Sequence, residues 1–230
     1  MELTILGGGW VTAAGYGLLS EVKGDLFMPG EPMIPPAKAI FAQPLVRYGR
    51  FDDYTRLGCA AIALALKDAH LEEATEKRPL GVVVSTIYEC FESDIAYHQT
   101  TIEEDGLYAS PNLFSYTLPG IVIGEAAIHF KLTGPTFTVG DTFSGKGYNS
   151  LLSAADLIRS GSCHTVVAGW LDSPNRLLER KAEDDDGLRG ALFVVLSKEQ
   201  KTGLSKKVVF RDAQLWTENN KIIESMVDLF

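Results

Sequence analysis

The stretch GPTFTVGDTFSGKGYNSLLSAADLIRSGSCHTVVAG, residues 134 to 169, decides how the rest of the chain is read. It predicts a short strand over 137–139, a tight turn of small residues, a helix to about Ser160 and a buried strand over 164–168. In α/β proteins such a strand-to-helix turn is where chemistry sits, because unpaired amides point outward at the helix start and the dipole favours negative charge there. Tyr148, Leu151, Leu152, Ala154, Ala155, Leu157 and Ile158 cover most of the helix circumference, leaving Asn149, Ser153, Asp156 and Ser160 as a narrow polar stripe. A helix this apolar is expected to be sandwiched in the core, as the most buried helix of the chain.

Upstream, 3–5 starts a first strand that runs into Gly7-Gly8-Gly9 and Trp10. These glycines lack the third glycine of a dinucleotide fingerprint, since Thr12 stands there, and they read as a close-packed, bent strand. Pro29, Pro32, Pro35, Pro36 and Pro44 rule out a regular helix or central strand over 20–50, which reads as a long loop. Asp52 or Asp53 caps a helix over 54–71 with Leu57, Ala60, Ala61, Leu64 and Leu66 on its buried side. The run LGVVVS at 80–85 reads as a strand buried on both faces. A more polar outer helix follows over 88–104, then a turn at 110–112 and a helix over 121–130 opened by Pro119.

Downstream of the quoted stretch, an acidic run at 183–186 reads as a solvated loop tip. Strands are expected over 190–196 and 207–210, and a short amphipathic helix over 220–230. Strands separated by helical crossovers imply a mainly parallel sheet whose closing pair can be antiparallel. The expected fold class is therefore α/β, a five-stranded sheet with helices on both faces, in a single domain over 1–230 with its core in 1–197.

The 230 residues are 46% hydrophobic and 22% charged, ordinary values for a globular cytoplasmic protein. A net charge of −9 disfavours nucleic acid, anionic membranes and strongly acidic partners. No window is apolar enough to span a membrane, and the start of the chain lacks a secretory pattern. Cys59, Cys90 and Cys163 lie in apolar segments without CxxC spacing and read as buried free thiols. Nothing implies a cofactor or a metal.

Five stretches together resemble the N-terminal half of a β-ketoacyl synthase, of the thiolase-like superfamily. They are LTILGGGWVTAAG (3–15), GRFDDYTRLGCAAIALALKDA (49–69), SPNLFSYTLPGIVIGEAAIHFKLTGPTFTV (110–139), the helix with its following HTVVAG (164–169), and LRGALFVVLS (188–197), in order and correctly spaced. The resemblance implies two similar halves stacked as αβαβα, each giving one helix to the middle layer. It also implies a nucleophilic cysteine in Thr-Ala-Cys at the start of that helix. Counted back from Arg159-Ser160-Gly161, that position is Ser144, with Thr142-Phe143-Ser144 replacing Thr-Ala-Cys. Counted forward from Gly134-Pro135 it is Phe143. Neither is cysteine.

The family's catalytic histidines and lysine belong to motifs of its C-terminal half, and His70, His98, His129 and His164 match none of them. The leading expectation is thus a catalytically degenerate, chain-length-factor-like accessory protein of fatty-acid, polyketide or polyene-type biosynthesis. It would act as a homodimer or with a complete ketosynthase, and the acyl carrier protein or acyl-CoA are its candidate ligands. Whether it is an enzyme stays open. Ser144 could serve as a nucleophile, with Thr142, Phe143 and Gly145 around the acyl group, although 142–146 does not meet the G-x-S-x-G elbow. A third reading is nucleotide binding through G-x-x-x-x-G-K at 140–146, against which Gly147 replaces the Ser or Thr that holds Mg²⁺. The homodimer is expected through the 145–161 helix and its flanking strand, because one sheet alone cannot cover Tyr148, Leu151, Leu152, Ala155 and Ile158.

Overall fold

The computed structural model describes residues 1–73, 75–174, 187–199 and 206–230. Its strands are β1 (Glu2–Thr12), β2 (Gly15–Leu18), β3 (Leu80–Thr86), β4 (Thr136–Gly140), β5 (Thr165–Asp172), β6 (Gly190–Ser197), β7 (Lys206–Arg211) and β8 (Gln214–Thr217). Its helices are α1 (Ala37–Ile40), α2 (Asp53–Asp68), α3 (Phe91–Ile102), α4 (Pro111–Phe114), α5 (Ile121–Phe130) and α6 (Tyr148–Arg159). Among the described residues the strands make one eight-stranded sheet in the order β4-β3-β5-β6-β1-β7-β8, with β2 paired to β1.

The expected five-stranded sheet is the β4-β3-β5-β6-β1 part of this larger one. Its parallel pairs are β3–β4 and β3–β5, the strands linked through helices. From β5 onward every pair is antiparallel. The parallel character is thus confined to one side, because helical crossovers stop after α6. Two apolar clusters cover the two sheet faces. One gathers α2, α5 and the 40–51 loop, and the other gathers α6 with β7, β8 and the residues after them.

The most buried helix is α2, not the quoted helix α6. Twelve of its sixteen residues are buried, from Tyr54 to Leu66, against five of twelve in α6. The cause is close packing by small residues. A Cβ on Gly9 of β1 would lie 2.4 Å from Ala61 O, and one on Gly58 would lie 2.4 Å from a Val122 methyl of α5. The glycines of β1 therefore act as a close-packed strand, with an irregularity against β6 between Ile5 and Gly7. Asp52 caps α2 by accepting from Thr55 N–H at 2.9 Å.

The C-terminal residues correct the sequence reading twice. After β8 the chain forms, instead of the helix expected over 220–230, a bridge from Trp216 to Ile222 and a 3-10 turn, Met226–Leu229. Ser225 and Asp228 cap that turn reciprocally. Ile223, Met226 and Leu229 are buried in the same cluster as Leu151, Ala155 and Ile158 of α6. The chain therefore covers much of the α6 face that one sheet was expected to leave bare. Tyr148 and Leu152 stay half-buried, while Asp156 and Arg159 are exposed and paired with each other at 2.9 Å. The acidic run at 183–186 lies outside the described residues.

Candidate functional site

The turn between β4 and α6 is built by one carboxylate. Asp141 Oδ1 accepts from Thr142 N–H at 2.9 Å, and Oδ2 accepts from Ser85 Oγ at 2.7 Å and from the Gly147 N–H. Asp141 thus ties the turn to β3 and occupies two amides near the helix start. Lys146 and Gly147 have φ of 30° and 98°, left-handed values that keep 142–147 out of the helix. Helix α6 accordingly begins at Tyr148 with Gly147 as its N-cap. The expected helix start at 145 moves inward for that reason.

Ser144 is exposed and lies three residues before the N-cap. Its hydroxyl sits 3.5 Å from Thr142 Oγ1, at the limit of a hydrogen bond, while Thr142 Oγ1 accepts from Gly145 N–H at 3.0 Å. Among the described residues no histidine hydrogen-bonds to it. Phe143 is half-buried with its ring 5.9 Å from that of Tyr88, and Gly145 is buried. So the structure brings Thr142, Phe143, Ser144 and Gly145 into one turn. It turns the hydroxyl outward and the aromatic ring inward.

Lys146 is buried, and its Nζ donates to Phe143 O within the turn. A phosphate-cradling loop needs free amides and a lysine reaching the anion. Here Asp141 takes the amides and the lysine is folded back, so the arrangement does not suit a phosphate. The other expected residues are structural. His129 packs edge-on against Phe41 and Phe130 at 5.1 and 4.6 Å, and burial lowers its pKa. All three cysteines are buried and free. Burial pushes the Cys59 thiol far up and, with the nearby Asp94 charge, raises Cys90 to about 12.

Sequence reasoning reached Asp172 only as the residue closing 166–171 that could mimic the second motif of an NTPase, and the structure gives it a different role. Asp172, at the end of β5, is 1% exposed. Its Oδ1 accepts from Thr86 Oγ1, Ile87 N–H and Tyr88 N–H, each at 2.9 Å, and its Oδ2 from Trp170 Nε1 at 2.6 Å. The Arg189 guanidinium stacks over the Tyr88 ring, 4.8 Å from its centre. The only hint in the sequence is an acidic residue closing an otherwise apolar strand. Among the described residues no cluster could hold a metal ion, and no helix is long and apolar enough to cross a membrane.

A mixed α/β sheet covered by helices on both faces, with a strand-to-helix turn at the end of β4, has the architecture of the thiolase-like fold. The chain matches the model of the β-ketoacyl synthase N-terminal domain over residues 34–177, and it belongs to that family. A Streptomyces virginiae protein described as "Putative polyketide beta-ketoacyl synthase 1" is 36% identical over 70 residues, 30% of this chain and 16% of that protein. Among solved structures, the ishigamide ketosynthase/chain length factor aligns with TM-score 0.66 and 17% identity, covering 90% of this chain and 64% of that one. A β-ketoacyl synthase from Burkholderia phymatum STM815 gives 0.66 and 16%, with 90% and 63% covered. The ketosynthase ApeO in complex with its chain length factor ApeC, from Xenorhabdus doucetiae, gives 0.52 and 14%, with 70% and 63% covered. At these identities the likeness is one of fold. The chain spans just under two thirds of those structures and aligns with a sixth of the curated relative.

Proposed function

We propose that this protein is a catalytically silent ketosynthase-like subunit that works as the accessory partner of an active ketosynthase in polyketide-type biosynthesis. The observation that carries the reading is the environment of Ser144. An alcohol becomes a nucleophile only when a base takes its proton. The described neighbour of Ser144 Oγ is a second hydroxyl, Thr142 Oγ1 at 3.5 Å, and the turn's carboxylate is engaged with Ser85, Thr142 and Gly147. The pairing of ketosynthase with chain length factor in two of the structural relatives supports a hetero-partner.

Co-expression of the full chain with a ketosynthase and an acyl carrier protein tests the role. We expect the chain to co-purify with the ketosynthase and to show no acyl adduct by intact mass after exposure to acyl-CoA or acyl carrier protein. An adduct that disappears in Ser144→Ala would replace this reading with a serine-dependent acyltransferase. A chain that stays a 25.1 kDa monomer by light scattering, with and without a ketosynthase, would refute the partner role. Self-association alone would favour the homodimer.

A further inference from the structure

The carboxylate of Asp172 plays no part in that role, yet it organises the floor of the site. We propose that Asp172 is a pH-operated latch: ionised, it pins the 86–89 turn and, through Tyr88, the inward-facing Phe143; protonated, it releases them. The inference does not rest on the accessory role above.

The argument begins with donor counting. Four donors converge on the two oxygens, three on Oδ1 and one on Oδ2. A carboxylate accepts all four, whereas a carboxylic acid carries a proton of its own that needs an acceptor. Protonation at Oδ1 sets that proton against three donors already in place, and protonation at Oδ2 leaves a neutral acid that accepts all four less strongly, so the charge-assisted network pinning the turn weakens. The pinned segment is held in an uncommon backbone conformation, since Glu89 has φ of 54° and its N–H is bonded to the same Thr86 hydroxyl that Asp172 accepts from. Tyr88 carries the change outward, lying against Phe143 on one side and beneath Arg189.

Burial drives the Asp172 carboxyl up to about 6, and the hydrogen bonds from Tyr88, Ile87, Thr86 and Trp170 offset part of that rise. The ionisable groups nearest it are Tyr54 of α2, which feels its charge, Glu89 and Cys90, which act on Tyr54 as well, and Arg189 before β6, stacked over Tyr88. Burial first, and then the Asp172 charge, pushes the Tyr54 hydroxyl far up, so Tyr54 stays neutral throughout. Cys90, at about 12, does the same.

Tryptophan fluorescence and hydrogen–deuterium exchange of the full chain, followed from about pH 4.5 to about pH 8, test the latch. A transition centred near pH 6 is expected, with far-UV circular dichroism unchanged and with faster intrinsic-rate-corrected exchange over 86–89 on the acid side. Asp172→Asn abolishes the transition. Thr86→Val, which removes a donor to the charged form, moves its midpoint up by about half a pH unit or more. The proposal is overturned by a wild type without the transition, by exchange that does not change across it, or by its persistence in Asp172→Asn. If Asp172→Asn does not fold, an unmoved midpoint in Thr86→Val overturns it equally.

Discussion

Met226 N–H donates to Lys146 O at 3.2 Å, and the Met226 side chain packs on Gly147, where a Cβ would come within 2.7 Å of its own Cβ. The residues after β8 thus close the turn that starts α6. Gly147→Ala should therefore be costly, because a left-handed backbone already costs an L-residue about 1–2 kcal/mol and the clash adds to it. A loss of about 2–4 kcal/mol is expected as a lower urea midpoint at unchanged slope. Adding Met226→Ala should not restore the backbone part. A variant as stable as wild type would show that the contact is not made.

The Arg47–Glu125 ion pair joins the proline-rich loop to α5 at 2.8 Å, with the Glu125 side chain 5% exposed and that of Arg47 58% exposed. Breaking a buried pair strands the buried charge. Exposure of the arginine reduces the effect, so Arg47→Met should cost about 1–3 kcal/mol by chemical denaturation. Glu125→Gln in the same background should recover part of it. Strict additivity of the two changes would count against the pair.

Stability should depend on pH through Asp172 in a sense opposite to most carboxylates. Its folded-state pKa is raised from 3.8 to about 6. Its contribution is then fully present below the unfolded value and is lost as pH rises to about 6. At about 1.4 kcal/mol per pH unit, the wild type should lose about 3 kcal/mol relative to Asp172→Asn over that window. Urea unfolding at pH 4, 5, 6 and 7 reads the difference. A wild type that gains on the variant as pH rises would reverse the assignment.

Nucleotide should not bind. Lys146 Nζ is bonded to Phe143 O, and Asp141 fills the amides of Thr142 and Gly147. Isothermal titration with ATP and Mg²⁺ is expected to be flat to about millimolar concentration, a binding energy under about 4 kcal/mol. Micromolar binding lost in Lys146→Ala would overturn this.

Association should be sensitive at the outer side of α6 and the sheet edge. Leu152 is half-buried there, and Phe137 of the end strand β4 is 37% exposed. An edge strand offers unpaired backbone groups to a partner. Leu152→Asp should weaken any complex by about 1–3 kcal/mol, read as a roughly five- to 150-fold rise in Kd. Unchanged affinity would place the interface elsewhere.

The elements with strong local signals were legible from the sequence alone. Strand β3 and helices α2 and α5 appear within a few residues of where periodicity, a cap at Asp52 or Asp53, and Pro119 put them, and the glycines of β1 pack as read. The thiolase-like class also followed from collinear motifs. These are features of windows of about 5 to 18 residues, each carrying its own burial pattern. Tertiary structure decided the rest, because the decisive partners are far apart in the chain. Asp172 meets Thr86 across 86 positions and Asp141 meets Ser85 across 56. Likewise, α2 rather than α6 is the buried helix because Gly9 and Gly58 let β1 and α5 approach it, and no helical period records that approach. The sequence by itself determined the strands and helices with strong local patterns, among them β3, α2, α5 and α6, and that the site is a strand-to-helix turn. Only the tertiary structure decided that this turn is filled by its own aspartate, floored by a buried carboxylate and closed by Met226, since each depends on side chains meeting after the chain has folded back on itself.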